Sequence, residues 1–152
     1  MTDDRPLRYH ETGNIHLDFH GATNTTIDFI VANYGVAVLH EIFEKVGKEV
    51  YADIRAHLIA GDAHELVRHW RHFFERENAD FDIAVEDDEI VLTVRKCPAY
   101  AHVQKIAPSV SEWFCDQTVK TNEAMAEGSP FQVATEITGP GTCRQIIRRR
   151  RP

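Results

Sequence analysis

Hydrophobic and polar residues alternate along five short segments of the chain, and four of these segments form two pairs. Residues 81–85 and 90–94 flank an acidic turn, and residues 131–137 and 142–147 flank a turn with two glycines around a proline. Alternation on both sides of a short polar or glycine turn is typical of an antiparallel hairpin. The fifth segment, residues 15–20, alternates alone. The pattern predicts an antiparallel sheet of four or five strands.

Between these segments, apolar residues recur every three or four positions, as they do on one face of a helix. Five of them predict one long helix from about residue 25 to a stop at Gly47: Ile27, Val31, Tyr34, Val38 and Ile42. Further helices are expected over residues 49–59, from Asp62 through Phe74, and from Pro108 to Gly128. Helices and hairpins are segregated rather than alternating, which predicts an α+β fold in a single domain.

The amino-acid composition limits the kinds of molecule that the protein is expected to bind. The 152 residues carry 17 Lys and Arg against 24 Asp and Glu, a net charge of −7, so the basic surface of a nucleic-acid-binding protein is not expected. No apolar run reaches the roughly 20 residues of a membrane helix, and Met1-Thr2-Asp3-Asp4-Arg5-Pro6 lacks the apolar core of a signal peptide. We expect a cytoplasmic protein that acts on a small molecule, with a homodimer as the default assembly.

Three widely spaced cysteines are the main chemical clue. Cys97 ends a predicted strand, Cys115 lies early in a predicted helix, and Cys143 lies in the last strand, at intervals of 18 and 28 residues. If the fold brings them together, they could hold zinc or, less in keeping with this spacing, an iron–sulfur cluster. Without metal, Cys115 could act as a thiolate nucleophile near a helix N-terminus. Each thiol could equally be a small buried apolar group.

A second candidate cluster is formed by His16, Asp18 and His20, which share one face of the predicted first strand. These are ligand types for iron or zinc, but a solvated polar face is the simpler interpretation. His20 precedes a loop and a helix N-terminus, so we expect it to act as a general acid or base. We expect three polar side chains to bind substrate: His16 on this face, Asn24 in the loop, and Asn122 on the Cys115 stripe.

The C-terminal half resembles a known enzyme family. Arg95-Lys96-Cys97-Pro98, then Phe114-Cys115, then a strand, a glycine turn and Cys143 look like the L-2-amino-thiazoline-4-carboxylic acid hydrolase family, over about residues 91–147. More distantly, this half resembles the 4-vinyl reductase type of ligand-binding domain, an α+β module of bacterial aromatic sensors. The first resemblance implies hydrolysis of a cyclic carbon–nitrogen bond. We expect His20 and Cys115 to be the catalytic residues of such a reaction.

The sensor resemblance implies a structural zinc held by cysteines and a glutamate. The matching positions here are Cys115, Glu136 and Cys143. The sensors have a further cysteine soon after the glutamate, where this chain has Ile137-Thr138-Gly139, and Cys97 is the residue that could replace it. Three functions therefore stay open: a small hydrolase of carbon–nitrogen bonds, a non-catalytic small-molecule sensor, and a structural subunit whose cysteines belong to the core.

Overall fold

A four-stranded antiparallel sheet forms one layer of the structure, a computed structural model that describes residues 16–152. The strands are β1 (Asp80–Glu86), β2 (Glu89–Lys96), β3 (Phe131–Gly139) and β4 (Thr142–Arg149), in the spatial order β1-β2-β4-β3. Both predicted hairpins are confirmed, and the α+β fold is confirmed with four strands. The alternation was a reliable signal because successive strand residues point to opposite faces, and one face packs against the larger core cluster.

Six α-helices pack with this sheet: α1 (Asp18–Tyr34), α2 (Val36–Lys45), α3 (Ala52–Ile59), α4 (His64–Arg76), α5 (Pro98–Ile106) and α6 (Asp116–Ala126). A π-helical turn, Val46–Val50, follows α2 directly. The start of α4 was predicted from Asp62, whose Oδ1 accepts a 2.9 Å hydrogen bond from the His64 N–H. Among the described residues, no helix has both the length and the apolar character needed to cross a membrane.

The first predicted strand is wrong over residues 16–20, because α1 begins at Asp18. Ile15, where that strand was to begin, and the segment Met1–Pro6 lie outside the described residues. The predicted long helix is two helices, since Gly35 between them has a φ of +88° that helix geometry does not allow. Gly47 is not a stop and lies buried inside the π-helical turn.

The helix predicted from Pro108 begins only at Asp116, and a helix before it was missed. That missed helix, α5, starts at Pro98, where a proline suits the first helical position because it needs no N–H partner there. The Cys97 sulfur caps the helix by accepting from the Tyr100 N–H at 3.5 Å. Cys-Pro was therefore a helix-start signal, although sulfur is an unusual cap.

Two hydrophobic clusters make the core. The larger lies between one sheet face and helices α3, α4 and α6, and Cys97 and Cys143 pack against it. The smaller joins α1, α2, α5 and the segment before α6, and Cys115 packs against it. The three cysteines therefore lie where the two clusters meet, and this boundary is where the structure has a cavity.

Gly47 provides a test of the close approach between the π-helical turn and α6. A Cβ at Gly47 would lie 2.7 Å from the Thr121 carbonyl oxygen and 2.8 Å from the Ala124 Cβ, two groups that cannot rotate away. We expect Gly47→Ala to lower the free energy of unfolding by about 1–3 kcal/mol, measured by urea denaturation.

The matched control is Gly21→Ala in α1. The added Cβ there would meet only Ile106 Cδ1, at the end of a flexible side chain, and alanine favours a helix over glycine by up to about 1 kcal/mol. We expect this variant to be neutral or stabilising. Equal destabilisation by both variants would contradict the packing described for the π-helical turn.

Candidate functional site

All three cysteines line one cavity of about 180 Å³, although they come from three different elements. Cys97 lies at the end of β2 as the cap of α5, Cys115 directly precedes α6, and Cys143 lies in β4. We call this space the thiol cavity. Aromatic and aliphatic side chains form much of its wall: Phe74, Val94, Ala99, Tyr100, Phe114 and Ile137.

Backbone contacts place Cys97 and Cys143 on the same side of the cavity. The Cys97 N–H donates to the Gly141 carbonyl at 2.8 Å, which joins the end of β2 to the β3–β4 turn. Cys143 follows that turn and lies opposite Val94 in the β2–β4 register. Gly141 has a φ of +69°, and a Cβ there would lie 3.2 Å from the Tyr100 ring, so the turn needs glycine at this position.

A histidine and a carboxylate meet at another part of the cavity wall. His20 Nε2, in the first turn of α1, lies 2.5 Å from Glu77 Oε1 just after α4, and both residues line the cavity. The two side chains are 23% and 9% exposed. With Glu77 accepting from Nε2–H, the imidazole nitrogen that keeps a lone pair is Nδ1. In this geometry the Glu77 carboxylate can hold the His20 imidazole in the position of a general base.

The sulfurs are poorly suited to be free nucleophiles. Burial raises the pKa of the Cys115 thiol to about 11, with further contributions from Cys97, Cys143 and the Asp116 carboxylate. Burial also raises the pKa of Cys143 to about 11 and, more moderately, that of Cys97. All three are therefore protonated at neutral pH, because desolvation outweighs the favourable helix N-terminus expected at Cys115.

Glu136 does not join the cysteines. In the β3–β4 register Glu136 lies opposite Arg144, whereas the neighbouring Ile137 lies opposite Cys143. Successive strand residues point to opposite faces, so Glu136 projects from the other side of the sheet. Its carboxylate is 51% exposed and lies 3.5 Å from the Arg144 guanidinium. The predicted ligand role of Glu136 is corrected by this placement.

The arrangement of the side chains that could donate to a metal decides whether a metal fits here. Within residues 16–152, no group of three or more His, Cys, Asp or Glu side chains is arranged to hold a metal ion. A zinc site needs its ligands around one point, and the glutamate of the sensor-type set projects from the other face of the sheet. The described residues therefore lack the complete ligand set of the sensor-type zinc site.

Two of the predicted substrate-binding residues lie away from the cavity. His16 is 74% exposed and lies 3.8 Å from Asp18 at the start of α1. Asn24 is buried, but its amide is fully engaged by the segment before α6: Oδ1 accepts from the Ser111 N–H at 2.7 Å and Nδ2 donates to the Ser109 carbonyl. Asn24 is thus a structural residue of α1. Asn122 does line a cavity, the one adjoining the thiol cavity.

Sequence reasoning missed Glu77, Gln117, Thr118 and Gln145 as site residues. The partner of His20 is 57 positions away, and no local pattern announces such a contact. Gln145 had a usable signal: it is a polar residue at an inward position of the last strand, between Cys143 and Ile147. A buried polar residue in an apolar strand face is informative because burying it without a partner costs stability.

The raised thiol pKa predicts the pH profile of alkylation. Only the thiolate reacts with iodoacetamide, so modification of Cys115 and Cys143 should be slow at pH 7 and rise about tenfold per pH unit toward pH 11. In urea the profile should shift to the ordinary value of 9.0. Peptide mass spectrometry separates the three sites. A native midpoint at or below pH 9 for Cys115 would contradict the effect of burial described here.

Comparison with known proteins gives the fold alone. No known family and no curated protein sequence matches the chain. A solved structure, a trafficking protein particle complex subunit 3 from Naegleria fowleri covalently bound to palmitic acid, is similar with a TM-score of 0.54. The identity is 9%, over 89% of this chain and 95% of that chain. The chain is thus similar to that subunit in its arrangement of helices and strands.

Proposed function

We propose that this chain is a small-molecule-binding domain whose ligand lies in the thiol cavity. The observation that supports this most is that Cys97, Cys115, Cys143 and the His20–Glu77 pair line one space. Polar groups from five separate segments rarely face a common cavity unless something is bound there, because each must be partly desolvated. A purely structural subunit would be expected to fill this volume with side chains.

The chemistry of the wall suggests the kind of ligand. Protonated thiols are soft, polarisable and weakly polar, and the Tyr100 and Phe114 rings add apolar surface. Such a wall favours a small aromatic or heterocyclic molecule over a strongly hydrated one. The His20–Glu77 pair supplies the ionisable edge of the cavity.

The first experiment uses toluene as a probe of the cavity, in a protein-observed NMR titration. We expect saturable shifts in residues that line the cavity. Cys115→Leu, which adds bulk to the wall, should weaken toluene binding at least about tenfold. Glu123→Leu, which adds the same side chain at an exposed position of α6, is the control and should bind toluene normally. No saturable binding to the folded wild-type protein would overturn the proposal.

The same purified protein can be examined for a ligand that is covalently bound in the thiol cavity. The similar trafficking subunit is covalently bound to palmitic acid. The thiol cavity of this chain combines three thiols with an apolar wall. An acyl group on a cysteine would appear in the intact mass and disappear with neutral hydroxylamine. An acyl mass found on Cys97, Cys115 or Cys143 would support the cavity as a ligand site and identify its occupant.

We propose hydrolysis of a carbon–nitrogen bond as the second candidate function, because the His20–Glu77 pair favours it. Glu77 would hold the imidazole while Nδ1 takes a proton from water; the hydroxide attacks the carbon, and the same proton passes to the leaving nitrogen. The resemblance to the amino-thiazoline hydrolases suggests a cyclic substrate. Cys115 would then contact the substrate as a neutral thiol and would not attack it.

This second candidate predicts turnover of L-2-amino-thiazoline-4-carboxylic acid, followed by NMR. His20→Gln should lower kcat by about 100-fold or more, since a general base contributes that much. The control is His40→Gln: His40 Nε2 lies 2.6 Å from Asp116, a similar histidine–carboxylate pair that does not line the thiol cavity. No turnover by the wild-type protein, or equal loss in both variants, would refute the catalytic role of His20.

Other expectations stay predictions. Zinc, an iron–sulfur cluster and a homodimer are untested. Three free cysteines are consistent with the reducing conditions of the cytoplasm, where we propose that the protein acts.

A further inference from the structure

A second cavity adjoins the thiol cavity. It has a volume of about 270 Å³ and lies between the π-helical turn, α4, α6 and β4. Four residues line both cavities: Phe74, Gln117, Thr118 and Gln145. Because these four residues line both spaces, the two cavities are neighbours. We call the second space the amide cavity, after the side chains of Asn122 and Gln145 in its wall.

The volumes favour one ligand across both spaces. The thiol cavity alone, at about 180 Å³, is smaller than the roughly 300–1,000 Å³ typical of ligand pockets. The two volumes, about 180 and 270 Å³, together amount to about 450 Å³, which falls within that range.

The amide cavity has an unsatisfied polar edge. Asn122 is 4% exposed, and its Nδ2 donates to Gln145 Oε1 at 2.8 Å and to Thr135 Oγ1 at 3.0 Å. Among the contacts of the described residues, none reaches Asn122 Oδ1. Gln145 is also 4% exposed, and its Nε2 has only the Cys143 sulfur at 3.9 Å, a weak acceptor. Two buried amides thus keep one acceptor and one donor for a further partner.

The charge of that partner is constrained as well. The described wall of the amide cavity contains no Asp, Glu, Lys or Arg and one histidine, His69, and aromatic side chains such as Trp70 and Tyr51 form part of it. A carboxylate offers no donor to Asn122 Oδ1, and an ammonium group offers no acceptor to Gln145 Nε2. A neutral group with its own donor and acceptor, such as a carboxamide or a lactam, matches the free Oδ1 and Nε2.

We infer that the ligand has two parts: an apolar or aromatic part in the thiol cavity and an uncharged amide-like group bound by Asn122 and Gln145. This inference rests on the proposed binding function and specifies its ligand class. It assigns Asn122 and Gln145 as the residues that set specificity, while the thiol cavity supplies apolar contact.

The test compares three probes of similar size: toluene, benzamide and benzoate, each titrated into the wild-type protein by NMR. We expect benzamide to bind at least about fivefold more tightly than toluene, and benzoate to bind more weakly than either. Asn122→Leu should remove the advantage of benzamide and leave toluene binding unchanged. Asn33→Leu is the matched control, because Asn33 lies on the exposed surface of α1 and bonds only its own helix.

Asn122→Leu also leaves Thr135 and Gln145 without their partner, so its fold is checked by the dispersion of its NMR spectrum. If it does not fold, Gln145→Met replaces it, removing the donor at nearly constant volume. Benzamide binding no better than toluene, or a benzamide advantage that survives in the folded variant, would overturn the inference and leave the binding function intact. Failure of all three probes to bind would overturn both.

Discussion

The hydrogen bond from the Cys97 N–H to the Gly141 carbonyl is the contact on which the site depends. This bond holds the end of β2 against the β3–β4 turn, next to the first residue of α5. On one side of this contact lies the core beneath the sheet, and on the other lies the smaller core of α1, α2 and α5. Because the two cores meet at this junction without merging, a cavity remains, and Cys97 and Cys143 face it.

Burial then determines what the cysteines are able to do. A thiol in an apolar wall keeps its proton, and neighbouring cysteines raise the pKa of Cys115 and Cys143 further because one thiolate repels another. Reactive cysteines are usually found in electropositive surroundings, and here the nearby charged groups are the carboxylates Asp116 and Glu77. The site is therefore better suited to holding a neutral molecule than to attacking one.

Much of the fold could be predicted from local patterns. The hairpins followed from alternation between turn residues, and α4 from Asp62 and the apolar stripe through Trp70. The misassigned strand at residues 16–20 belongs to a six-residue alternation, residues 15–20, that also fits the first turns of a helix, so the pattern alone could not decide. The break at Gly35 was missed because the apolar periodicity continues across it, from Val31 to Val38.

The candidate site was predictable only in part, because it is built from long-range contacts. The sequence identified His20, the cysteines and Asn122, since their chemistry is unusual wherever they lie. It could not identify Glu77, which meets His20 only through the packing of α1 beside the end of α4. The predicted role of Glu136 as a ligand was wrong because strand residues alternate between faces. Ile137 lies opposite Cys143, so the neighbouring Glu136 faces the other side of the sheet.

A crystal structure determined under xenon pressure would show directly whether the three cysteines face one cavity that can hold a ligand. Xenon enters apolar cavities and is readily located by its scattering. We expect a xenon site enclosed by the sulfurs of Cys97, Cys115 and Cys143, beside the Phe114 ring. Sulfurs that point into separate parts of the core, with no xenon between them, would contradict it.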